Sequence, residues 1–165
     1  MSLILVLNPG STSTKIAVYK GEKSLFSRSI RHEEESSKIP CIIDQLEFRL
    51  RLVKETLAEA KIKLTECAAI IARGGLLHPV ESGVFKVNLA MIDDLTTCRY
   101  GEHASNLGAL MAAELATSKS MPVYIADPVV VDEMIAEAKI SGWPEFRRIA
   151  ISHPLNQRAV GKRYA

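Results

Sequence analysis

The sequence predicts an α/β domain built on a mixed sheet that begins as a three-stranded meander. Three short apolar runs come first, separated only by polar turns, and after them apolar strands alternate with segments of helical period. Strands joined by tight turns pair antiparallel, whereas strands separated by helices pair in parallel, so a chain with both makes a mixed sheet with helices laid against it. Polar, ligand-type residues also gather just after strand ends, at 8–15, 73–75 and 127. In open α/β sheets that edge is where ligands bind.

The meander consists of residues 3–7, 15–19 and 25–30, with Lys20-Gly21-Glu22-Lys23 as its second turn. Residues 31–38 are charged and Ser-rich and read as an exposed connection, with His32 and Glu33-Glu34-Glu35 on the surface. From residue 39 the period changes: Ile42, Ile43, Leu46, Leu50, Val53, Leu57 and Ala60 recur at three- and four-residue steps, which predicts an amphipathic helix to about residue 60. Residues 68–72 are wholly apolar, as expected of a central strand covered on both faces. A loop with the surface His78 and a short strand at 84–87 follow. Asn88 then caps a helix carrying Met91, Ile92 and Leu95. A second helix starts near residue 105 with Leu107, Leu110, Met111 and Leu115 on it. Residues 122–126 form a buried strand, 129–138 a loop and helix, 146–152 a last strand-like stretch, and Pro154 opens a terminal helix.

With 165 residues, 47% hydrophobic and 24% charged, the chain can bury a real core. A net charge of +2 and 5% aromatic content argue against a nucleic-acid or membrane surface. Cys41, Cys67 and Cys98 lack the spacing of a zinc site and are odd in number, which fits reduced, core or half-buried thiols in a cytoplasmic protein. No signal-like leader and no apolar run long enough for a bilayer occur.

The densest chemistry lies in residues 4–19, where two apolar strands flank Asn8-Pro9-Gly10-Ser11-Thr12-Ser13-Thr14-Lys15. A generic Ser/Thr-rich turn is simply solvated. Backbone N–H groups of a Gly turn, four hydroxyls and an ammonium at the start of the next strand instead make a phosphate cradle. Single residues at the other strand ends carry plainer readings too: Asp127-Pro128 opens a turn, His103 caps a helix, and His153 sits between strand and helix.

Taken together these stretches resemble the N-terminal part of the butyrate kinases, in the acetate and butyrate kinase branch of the actin, sugar-kinase and heat-shock-ATPase superfold. The residues that carry the resemblance are 5–15, Ala72-Arg73-Gly74-Gly75-Leu76-Leu77-His78-Pro79, Gly101-Glu102-His103-Ala104-Ser105-Asn106-Leu107-Gly108, Asp127-Pro128-Val129-Val130-Val131-Asp132-Glu133-Met134 and Ile151-Ser152-His153-Pro154-Leu155-Asn156-Gln157. The first is shared with acetate kinases; the Arg-Gly-Gly, Glu-His-Ala-Ser-Asn and Asp-Pro-Val-Val stretches point to the butyrate type.

The resemblance implies a ribonuclease H-like (actin-type ATPase) domain. The activity it implies is reversible phosphoryl transfer between ATP/ADP and butyrate or a similar short-chain carboxylate, with Mg²⁺. It assigns Asn8, Gly10, Ser11, Ser13 and Lys15 to the phosphates, and Arg73, Asp127 and His153 to catalysis. His103 and Arg73 go to the carboxylate or acyl phosphate, and Asn8 and Asp127 to the metal or its waters. One departure stands out: acetate kinases place an Arg three residues before a His-Gly-Gly, whereas here Arg73 holds the His position and Ile70 the Arg position. The resemblance also implies residues 1–148 as the N-terminal acyl-kinase domain and 149–165 as the start of a truncated second one. A chain of this kind is expected to be inactive by itself and to self-associate as a homo-oligomer. Another kinase or nucleotide-dependent activator of the same superfold, or a non-catalytic phosphate- or partner-binding domain, are the competing readings.

Overall fold

Alternation along the first three strands already sets one face of the sheet. In β1 (Leu3–Pro9) the residues Leu5, Leu7 and Pro9 point inward while Val6 and Asn8 take the other face. The structure, a computed structural model, describes residues 2–116 and 121–165. β1 pairs antiparallel with β2 (Ser13–Lys20), which pairs antiparallel with β3 (Lys23–Arg31). On its other side β1 pairs in parallel with β4 (Cys67–Arg73), and β4 in parallel with β6 (Val123–Ala126). The short β5 (Val84–Lys86) closes the far edge antiparallel to β6, giving the order β3-β2-β1-β4-β6-β5. The mixed sheet and its opening meander are those expected from the sequence.

Helices α2 (Leu46–Glu59) and α4 (Asn106–Ala116) cover the inward face. Leu50, Val53 and Leu57 of α2 meet Leu5, Leu7, Ile16 and Ile70 in one apolar cluster, each such side chain stabilising by roughly 1.5–3 kcal/mol on burial. A single turn of 3₁₀ helix at Ile43–Gln45 precedes α2. Asn88 accepts the N–H of Met91 at 2.9 Å and so caps α3 (Leu89–Thr96), as its side chain predicts. α4 is buried almost all round, and its small residues let it approach the sheet backbone closely. A Cβ on Gly108 would lie 2.4 Å from the carbonyl oxygen of Arg73.

Several expectations give way to the structure. β4 is central, lying between β1 and β6, but only one face is packed: Ala68 is exposed and Ile71 half-buried. Residues 129–138 form no α-helix; Val131 bridges Val80, and the segment reaches only a 3₁₀ turn at Glu137–Lys139. Residues 146–152 form no strand either. Ser152 and Arg147 make single bridges, to Val130 and Ile140, and neither extends into a ladder. Cys41 is exposed rather than half-buried, whereas Cys67 is buried and Cys98 intermediate.

The connection at 31–38 holds a helical turn, α1 (Glu33–Ser37), and His32 before it is 2% exposed. Its backbone N–H donates to Thr12 O at 3.0 Å, so the connection folds back over the β1–β2 turn. Nε2 of His32 lies 3.0 Å from Thr14 Oγ1, Nδ1 lies 2.7 Å from Ser36 Oγ, and the ring meets Phe48 edge-on. Local polarity predicted a surface histidine; a long-range contact with the hairpin buries it. Burial first, and the nearby Arg49 second, push its pKa below the ordinary value of 6.5. A histidine whose folded pKa is lowered is protonated more readily in the unfolded chain. Its contribution is therefore complete above about pH 6.5 and is lost as pH falls through that value toward the folded pKa. Thermal unfolding at pH 7.5 and 5.5 is expected to show a lower midpoint at the acid end, with a smaller drop in His32→Gln.

Candidate active site

The turn between β1 and β2 brings the phosphate-type residues to one place. Asn8 and Lys15 face each other directly across the hairpin, and Ser29 of β3 lies opposite Lys15, so the three form a row across neighbouring strands. Gly10 closes the turn, its N–H donating to Ser13 O at 2.7 Å; that amide is therefore engaged and does not face a ligand. Behind the turn Arg49 of α2 is 0% exposed and donates to Gly10 O at 2.7 Å and Ser11 O at 3.1 Å. The sequence pattern had shown α2 only as an apolar face. A charged residue flanked by Phe48 and Leu50 at a core-facing step was the one available signal.

The second strand end is Arg73. It is followed by Gly74 and Gly75, and both glycines have a steric reason. Cβ atoms there would come to 2.8 Å from Pro128 and 2.6 Å from the Asn106 backbone. Asn106, 0% exposed, staples the loop to α4: its Oδ1 accepts the Leu76 N–H at 2.8 Å and its Nδ2 donates to Gly101 O at 2.9 Å. Asn106 thus serves the structure of the loop, a role that its place within the 101–108 stretch does not signal.

The third strand end, Asp127, adopts φ 49°, an uncommon conformation that turns its carboxylate toward α5 (Pro154–Tyr164). Oδ1 accepts the N–H of Leu155 at 3.1 Å and Oδ2 that of Asn156 at 3.3 Å, satisfying two of the open donors at the helix start. Arg73 Nη2 stands 3.6 Å from the same carboxylate. His153, the residue before α5, is thereby held against both: its Nδ1 is 2.8 Å from Asp127 O and 3.1 Å from Arg73 Nε. One ring nitrogen serves only one of these at a time. Protonated, it donates to the carbonyl; unprotonated, it accepts from the guanidinium, which leaves the ring proton on Nε2.

His103 sits just before α4. Ser105 N–H donates to its Nδ1 at 3.1 Å and Ser105 Oγ lies 2.6 Å from the same nitrogen, so the neutral ring carries its proton on Nε2. Partial burial first, then His153 and Arg73, lower its pKa from the usual histidine value.

Asn8, Gly10, Ser11, Ser13, Lys15, Arg73, His103 and His153 all line one open cleft of about 390 Å³. Asp127 lies in an adjoining cleft of about 250 Å³, whose walls share Asn8 and Arg73 with the first. Every residue singled out for this chemistry thus reaches the same edge of the sheet. Among the described residues no group of three or more His, Cys, Asp or Glu could by itself hold a metal ion. A carboxylate offers about four acceptor positions, and α5 uses two of those on Asp127, so the site suits an ion that keeps its waters and arrives with phosphates, as Mg²⁺ does.

Comparison with solved structures shows which fold this is. The chain superposes on an acetate kinase from Porphyromonas gingivalis with TM-score 0.62 at 14% identity, covering 98% of this chain and 49% of that one. A propionate kinase from Francisella tularensis gives 0.65 at 16% identity, with 99% and 48% covered. At these identities the likeness speaks for the fold alone, the actin-like α/β fold of those two structures. No family model matches the chain. Butyrate kinase 1 of Clostridium acetobutylicum is 46% identical over 166 residues, spanning all of this chain and 47% of its own length. A probable butyrate kinase of Clostridium botulinum is 47% identical over 162 residues, with 98% and 46% covered. The chain is similar to these butyrate kinases along essentially its whole length and spans about half the length of the curated relatives it matches.

Two variants probe how the site is held together. Gly108→Ala drives a methyl into the Arg73 carbonyl, and is expected to cost about 1–3 kcal/mol in urea unfolding. Asp127→Ala removes both acceptors from the start of α5. Amide exchange across 154–164 is expected to quicken on the order of tenfold while β1 and β4 amides stay protected.

Proposed function

We propose that these residues form the phosphoryl-binding half of an acyl kinase, which moves a phosphoryl group between ATP and the carboxylate of butyrate or a similar short-chain acid. The observation that carries this reading is the convergence of the β1–β2 turn, Arg73, His103 and His153 on a single cleft. In the forward direction a carboxylate oxygen bonds to the γ-phosphorus as the bond to the ADP oxygen breaks, giving acyl phosphate and ADP; the reverse regenerates ATP. Such a transfer needs alignment and neutralised charge far more than covalent help from the protein.

The residues suit those tasks. Hydroxyls of Ser11 and Ser13 and the Lys15 ammonium would hold phosphate oxygens, and Arg73 would face the carboxylate or acyl phosphate. His153, with Nδ1 accepting from Arg73, presents an Nε2 proton to an equatorial oxygen of the migrating group. His103, neutral and carrying its proton on Nε2, offers a second donor at the wall of the cleft. Asp127 and Asn8 would take the waters of Mg²⁺, which when bound offsets charge on the phosphates. Trp143, Phe146, Ile149 and Ile151, close together in the chain, are all exposed and offer apolar surface that self-association would bury. Among the described residues no helix is long and apolar enough to cross a membrane.

The chain spans about half the length of its curated relatives, and by itself it is expected to bind phosphate but transfer little. An assay with butyrate, ATP and Mg²⁺ measures the second point. For the first, inorganic phosphate should shift the amides of residues 11–13 in NMR spectra, and Lys15→Ala or Arg73→Ala should weaken that binding about tenfold, near the energy of one charge-assisted contact. Unshifted amides at millimolar phosphate would remove the basis for the kinase reading.

A further inference from the structure

Arg49 is a cation in the wrong place for a structural residue. It is 0% exposed, and among the described residues no carboxylate pairs with it. Its donors go only to neutral acceptors: Nε and Nη2 to Gln45 Oε1 at 3.1 and 2.6 Å, Nη1 to Gly10 O at 2.7 Å, and Nη2 also to Ser11 O at 3.1 Å. Gln45 is itself anchored, its Nε2 donating to Ile39 O at 2.6 Å. Burial lowers the arginine's pKa to about 10, so it keeps its charge at neutral pH. A buried, uncompensated charge is destabilising, and a neutral side chain could brace a turn at lower cost.

The geometry of the peptide unit says what the charge accomplishes. In a trans peptide the C=O and the following N–H point in opposite directions. Arg49 draws the Gly10 and Ser11 carbonyls inward, so the N–H groups of Ser11 and Thr12 must point outward. Among the described residues neither N–H has a hydrogen-bond partner, and both residues are exposed. Two adjacent amides aimed the same way, backed by a guanidinium, form an anion-binding nest whose missing counterion is the ligand.

We infer that Arg49 is the positioning residue of the phosphate turn: by holding the Gly10 and Ser11 carbonyls it aims the Ser11 and Thr12 amides at an anionic phosphoryl oxygen, and its buried charge is balanced when that anion binds. This rests on the reading of the turn as a phosphate site. Arg49 touches neither substrate nor metal in this scheme and acts through the two peptide groups. Lysine keeps the charge but cannot hold two carbonyls at once with a planar fork.

The test is a titration of the chain and its variants with inorganic phosphate, followed through the Ser11 and Thr12 amide resonances well below each variant's unfolding temperature. Arg49→Lys is expected to weaken phosphate binding about tenfold and Arg49→Met by thirtyfold or more, both with altered Ser11 and Thr12 shifts before any phosphate is added. Leu50→Ala loosens the same helix without touching the turn, and is expected to leave the affinity within twofold of the wild type. Should Arg49→Met fail to fold, Arg49→Lys alone decides. Wild-type amides that respond to phosphate while Arg49→Lys binds equally well overturn the role of Arg49 and leave the phosphate site standing. A Leu50→Ala loss as large as that of Arg49→Lys also overturns it, as a mere effect of stability. Wild-type amides that do not respond at all overturn the phosphate site itself, and the role of Arg49 with it.

Discussion

Parallel pairing of β1, β4 and β6 is the constraint on which the site depends. Register places Leu7 beside Ala72 and Arg73 beside Ala126, so the three strands end in step and release their loops on one edge. Residues 8–15, 73–75 and 127 are distant in sequence, and only this alignment makes them neighbours. A one-residue slip in any of these pairings would send the polar ends to opposite faces, because side chains alternate along a strand.

Around that edge the molecule is built by close backbone approach more than by side-chain bulk. α4 runs against the end of β4 where Gly108 meets the Arg73 carbonyl, and Asn106 ties the following loop down with both ends of its amide. α5 is attached almost wholly through polar contacts: none of its residues is buried, yet Asp127 accepts two of its first N–H groups. The same carboxylate therefore organises the helix start, Arg73 and His153 together. A group that serves structure in this way remains able to meet the waters of a metal ion, since two acceptor positions account for only half its capacity.

Much was legible in the residues. The meander, the helix cap at Asn88, the parallel strands and the ligand-rich edge follow from apolar periodicity and turn chemistry, which act over a few residues and are written locally. What misled was also local. Residues 31–38 looked like a solvated charge run, and most of their side chains are exposed; His32 alone is drawn under the hairpin by Thr12, Thr14 and Phe48. At 129–138 and 146–152 apolar content suggested regular elements. A ladder or helix face needs a partner surface as well as a pattern, and these segments meet only isolated bridges.

By itself, then, the sequence determined the order and kind of most main elements and which polar residues follow the strand ends, because propensity and periodicity depend on neighbours a few positions away. It did not determine the support behind them. That Arg49 lies under the Gly10 and Ser11 carbonyls, that Asp127 caps a helix 27 residues further on, and that glycines 74, 75 and 108 mark contacts rather than flexibility were decided by tertiary packing. Each is a meeting between segments whose separation in the chain says nothing about their distance in space.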